Sequence, residues 1–66
     1  MEIFPGISMD SGIRFGKPCL TGTRIDVATV VGALAAGESI ESVQDAYEVT
    51  REQILAALGH TRGEVL

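Results

Sequence analysis

Sixty-six residues make room for one domain, and a chain of this size buries only about 60% of the surface its unfolded form exposes, so its stability is marginal without help. A single cysteine and a single histidine exclude an internal disulfide and a four-ligand zinc site, which leaves oligomerisation, and first of all a homodimer, as the expected remedy. The net charge of −4 is uneven: Arg14, Lys17 and Arg24 outnumber Glu2 and Asp10 in the first 24 residues, whereas Glu38, Glu41, Asp45, Glu48 and Glu52 face only Arg51 between positions 38 and 52. Any phosphate-facing surface should therefore draw on the N-terminal third.

With 45% hydrophobic residues but only Phe4, Phe15 and Tyr47 as aromatics, the core must be aliphatic. No apolar run reaches the roughly 18 to 20 residues of a membrane span, and the opening MEIFPG has neither the basic end nor the apolar stretch of a signal peptide. A cytoplasmic protein with no membrane contact is expected.

The chain reads as a single domain, 1–66, with a β-rich arm over 1–25 and a three-helix body over 26–66. In the arm, short β-type runs from Ile3 to Met9, Ile13 to Phe15 and Pro18 to Leu20 are separated by Asp10-Ser11-Gly12 and Gly16-Lys17. Such punctuation predicts short strands with tight turns. Pro5 and Pro18 lack an amide hydrogen, so these strands should be edge-like or pair across a dimer. A lone hairpin is barely stable, so the arm must pack on the helices or on a second subunit.

The first helix is predicted from Val27 to Ala36, where Val27, Val30, Val31 and Leu34 form one apolar stripe, Asp26 caps the start and Gly37 ends it. Ser39 should cap a second, short helix whose Ile40, Val43 and Tyr47 share a face. Thr50 should cap a third, with Gln53 completing a capping box. Ile54, Leu55 and Leu58 are its expected buried side, and Gly59 and Gly63 should fray it beyond about His60. His60 itself reads as a helix-end residue whose charge favours that terminus.

A helix, a Gly-bearing turn, a short helix, a tight turn and a helix make the layout of a helix-turn-helix body, so the expected fold class is mainly α with a short β-rich arm. Ile40, Val43, Tyr47, Val49 and Ile54 fit the apolar register of that unit. Gln44 stands where close helix approach favours Ala, and Glu48 where a positive φ favours Gly; either Glu48 bears strain on the order of 1 kcal/mol or the turn has another shape. In a major groove, Thr50, Arg51 and Gln53 would offer side chains suited to phosphate, guanine and adenine. The competing reading is that Thr50 and Gln53 only cap the helix while Arg51 is solvated.

The most specific stretch is Gly16-Lys17-Pro18, a β-type pair, then Gly22-Thr23-Arg24, followed by an aliphatic helix, Ala36-Gly37-Glu38-Ser39, Tyr47 and Thr50-Arg51-Glu52-Gln53-Ile54. This pattern, from about Ile7 to Leu58, resembles domain-of-unknown-function family 433 (DUF433). The resemblance implies a homeodomain-like trihelical fold and a place among antitoxins of toxin–antitoxin pairs, often encoded beside a PIN-like ribonuclease. The chain departs from the pattern at Cys19, which replaces an aliphatic residue, at Asp26, where Pro is common, and in the shortened link Tyr47-Glu48-Val49-Thr50.

Gly16 and Gly22 suit turns with positive φ, and Pro18 suits a strand start. Lys17, Arg14 and Arg24 are candidate phosphate contacts, although the fork of Arg24 suits a carboxylate better and is expected to bridge to an acid such as Asp45 or Glu48, within the chain or across subunits. The stretch Gly12 to Pro18 is not a phosphate loop, since its glycines are separated by three residues and Pro18 replaces the required hydroxyl. Cys19 lies in a β-type run where an inert thiol is the usual outcome, and no catalytic set forms with His60. The expected function is thus non-enzymatic and without cofactor: a dimeric antitoxin-like regulator that binds a ribonuclease toxin and operator DNA. The alternative is a protein-interaction module with an acidic surface that never touches DNA.

Overall fold

In the computed structural model, which describes the backbone of residues 1–65 and the side chains of residues 1–61, a small sheet precedes three helices. Strands β1 (Glu2–Phe4), β2 (Ile7–Ser8) and β3 (Cys19–Leu20) form an antiparallel sheet with β2 in the centre. Pro5 falls in the turn between β1 and β2, and Pro18 lies just before the edge strand β3, where the missing amide breaks no ladder. The expected run from Ile3 to Met9 is therefore two strands around Pro5-Gly6. A Cβ on Gly6 would sit 3.1 Å from the Ala56 side chain, which is why the chain folds back here without one.

The expected strand from Ile13 to Phe15 does not form. Arg14–Gly16 is one helical turn of left-handed sense, with φ of 52° at Arg14, 57° at Phe15 and 80° at Gly16. Each L-residue in this region costs roughly 1–2 kcal/mol, so the turn needs fastening. Gly16 donates to the Ile13 carbonyl and Lys17 to that of Arg14, both at 3.1 Å, and the Arg14 side chain is itself tethered as described below.

Helix α1 (Val27–Ala35) starts as the sequence predicts: the Thr29 amide donates to Asp26 Oδ1 at 2.8 Å. It stops at Gly37, whose φ of 99° lets the Glu38 amide reach back to the Ala33 carbonyl. Helix α2 (Ile40–Tyr47) is capped by Ser39, which accepts from the Ser42 amide. Helix α3 (Arg51–Val65) begins with the anticipated reciprocal box, Thr50 Oγ1 accepting from the Gln53 amide and Gln53 Oε1 from the Thr50 amide. Between α2 and α3, Glu48 takes φ 56° and ψ 46°, so the strained left-handed turn is the one realised.

Ile7 and Leu20 from the sheet join Val27, Val30, Val43, Val49, Ile54 and Ala57 in a single core. The N-terminal segment packs on its own helices and closes their core. This changes the orientation of α3. Its buried side is Ile54, Ala57 and His60, while Leu55 and Leu58, expected inside, are 47% and 36% exposed. The sheet selects the small-residue side of the helix, because a Cβ on Gly59 would lie 3.2 Å from the Phe4 ring. Helix α3 runs on through Gly59 to Val65, where fraying was expected beyond His60. His60 is correspondingly buried, its ring edge-on to Phe4 at 5.8 Å, and is not a solvated helix end.

Among the described residues, no helix is long and apolar enough to cross a membrane.

Candidate functional site

The Gly-Lys-Pro and Gly-Thr-Arg stretches turn out to be the two turns flanking β3. Gly16 and Gly22 both have φ of 80°, as their sequence context demands. Thr23 holds the second turn from inside: its hydroxyl donates to the Leu20 carbonyl at 2.8 Å and accepts from the Ile25 amide at 3.1 Å. The Pro18 carbonyl accepts from the Val27 amide at 2.9 Å, tying β3 to the start of α1. The motif is therefore mainly architectural, and it leaves Lys17 and Arg24 exposed.

Within the chain, Arg24 does not bridge to Asp45 or Glu48. Among the described residues the ion pair lies elsewhere, between Arg14 Nη2 and Asp26 Oδ2 at 3.1 Å. Asp26 is only 5% exposed. Hydrogen bonding from Thr29 holds its carboxyl below the ordinary aspartate value, against the opposing effect of burial, and Arg14 adds to the lowering. One carboxylate thus caps α1 and fastens the left-handed turn. Arg14, although half-exposed, is engaged there, which leaves Lys17 and Arg24 as the exposed side-chain cations of the N-terminal third outside that ion pair.

Cys19 is buried, and burial followed by the nearby Asp26 charge pushes its thiol pKa up. A raised pKa disfavours the thiolate that nucleophilic chemistry requires. Among the described residues no three His, Cys, Asp or Glu side chains gather as a metal-ligand set.

Two surfaces remain unaccounted for by folding. The first is the outer side of α3, where Arg51, Leu55 and Leu58 are exposed. Helical spacing at i, i+4 and i+7 places them on one stripe. Thr50 and Gln53, which sequence reading grouped with Arg51, are brought beside it, but their side-chain oxygens are engaged in the cap. The second is a mostly apolar groove of about 590 Å³ along the first half of α1, with Val27, Ala28, Val31 and Gly32 on one wall. Lys17, Pro18, Asp26, His60 and Thr61 complete its lining. Two residues before Lys17 in the chain, Phe15 stands almost wholly in solvent, 98% exposed.

Sequence reasoning missed the Arg14–Asp26 pair, the groove and the presentation of Phe15. A partial signal existed: Asp26 departs from the Pro common at its position, and a charged residue at a helix start next to a buried strand calls for a cation.

With this geometry established, comparison places the chain in a family. The pattern of DUF433, a family of proteins of unknown function, matches residues 7–60, and the chain belongs to it. No curated protein and no solved structure matches the chain significantly.

Proposed function

We propose that this protein is an antitoxin-like regulator that acts as a dimer, covering a partner ribonuclease with the outer face of α3 and meeting operator DNA through the first turn of the same helix. The observation that carries this reading is the exposed stripe Arg51, Leu55, Leu58 on a helix already satisfied on its other side. Apolar side chains in solvent beside an arginine fit a surface that a protein partner covers. The α2–α3 connection supports the helix-turn-helix side of the reading, since Glu48 adopts the left-handed turn typical of such units and Arg51 is free to reach a base edge.

A second reading, a protein-interaction module that does not bind DNA, is favoured by a different observation. Thr50 and Gln53 commit their side-chain oxygens to the capping box and Arg14 is held by Asp26, so three of the expected DNA contacts are already engaged within the fold, in a chain of net charge −4. Mobility shift with the DNA upstream of its own gene, at two salt concentrations, separates the two. Retention that weakens with salt and falls with Arg51→Ala supports the regulator; no retention at low salt leaves the interaction module. In the same preparation, Leu55→Lys should abolish inhibition of a ribonuclease encoded beside it, and unchanged inhibition removes the α3 stripe from the site.

A further inference from the structure

We infer that two copies of the chain pair by reciprocal insertion of Phe15 of each into the α1 groove of the other. This rests on the dimer reading above and names the surface that makes it. An aromatic ring left in water in a strained turn is the first sign. Arg14 and Phe15 both have positive φ, a conformation that persists only where surrounding contacts enforce it and that concentrates at sites of function. Here the ion pair to Asp26 and the two turn hydrogen bonds enforce it, and the product is a Phe side chain held outward with no contact inside its own fold to explain it.

The groove supplies the complementary sign. Gly32 lies in the middle of α1, where glycine weakens a helix relative to alanine. Nothing lies within 4 Å of a Cβ built there, so packing within the chain does not require the missing side chain. It does, however, open the groove wall beside Val31 and Ala28, as close approach of an outside group would require.

That the outside group is a second copy follows from placement and charge. A two-fold interface needs one patch bearing both knob and hole, so that each can meet its counterpart. Arg14 grips Asp26, itself a groove residue, and the groove-lining Lys17 is two positions from Phe15, so the turn that bears the knob is fastened beside the hole. Each copy carries a net −4, and Glu41, Asp45, Glu48 and Glu52 are concentrated on α2 and the start of α3. Among the residues lining the groove no carboxylate is left unmatched: Asp26 is paired with Arg14, and Lys17 adds a positive charge. Two acidic chains meet there without opposing their acids.

Sedimentation equilibrium of the whole chain tests this, with circular dichroism as the check on folding. The wild type should dimerise, and Phe15→Ala and Gly32→Leu should each weaken dimerisation by about thirtyfold or more while keeping the helical spectrum. Both sites are open to solvent in the single chain, so the fold survives either change. Mixing the two variants should restore a heterodimer, because one intact knob meets one intact hole. A wild type that stays monomeric, variants that remain as dimeric as the wild type, or a mixture that fails to pair would each overturn the inference. Arg51→Ala and Leu55→Lys should leave self-association unchanged, so failure of the DNA or ribonuclease reading registers in those variants and failure of the pairing in Phe15 and Gly32.

Discussion

Helices α1 and α3 are both capped by side chains that the sequence marks plainly, yet they begin in opposite environments. Asp26 at the head of α1 is buried, charged and bound to Arg14 twelve residues upstream, so this helix start is fixed to the N-terminal turn and the groove. Thr50 and Gln53 at the head of α3 are neutral partners to each other, and their hydrogen bonds are exposed. A cap that reaches outside its own helix organises tertiary structure; a cap closed upon itself leaves the helix start available to a partner. In this molecule the first kind supports the proposed self-pairing face and the second the proposed ribonuclease or DNA face.

The contrast can be broken by mutation. Asp26→Ala removes the cap and leaves Arg14 without its carboxylate, and should cost about 2–3 kcal/mol in urea unfolding. Acid should sharpen the same difference. Folding lowers the Asp26 pKa below its ordinary value near 3.8, so its contribution is complete above that value and is lost as pH falls through the lower folded value. The stability gap between wild type and Asp26→Ala should therefore hold at neutral pH and narrow in that acid window, and a gap independent of pH would show that the carboxylate charge is not what matters. Thr50→Ala should have the smallest effect, about 1 kcal/mol, with no change of that gap with pH.

How far the sequence spoke differs along the chain. The caps at Asp26, Ser39 and Thr50 and the stop at Gly37 were legible because each is a local hydrogen-bonding arrangement set by residues within five positions. The orientation of α3 was not. Ile54, Leu55 and Leu58 offer a larger apolar stripe than Ile54, Ala57 and Gly59, and a helix considered alone would bury the leucines. The opposite side is chosen because Phe4 and Gly6, some fifty residues away in sequence, present surfaces that only small residues can approach. For the same reason the partner of Asp26 could not be read from spacing: Arg14, Lys17 and Arg24 were all chemically suitable, and the left-handed turn at Arg14, which brings it within reach, has no marker in an Arg-Phe pair. The exposure of Phe15 follows from that turn and was equally hidden.

The Phe4 ring against Gly59 has one more implication. Because the first strand fills a notch in the last helix, the opening and closing portions of the polypeptide are mutually dependent, and the trihelical unit is not a portable cassette. Grafted into another scaffold without its leading strands, it would expose the notch and lose the wedge that tells α3 which way to face.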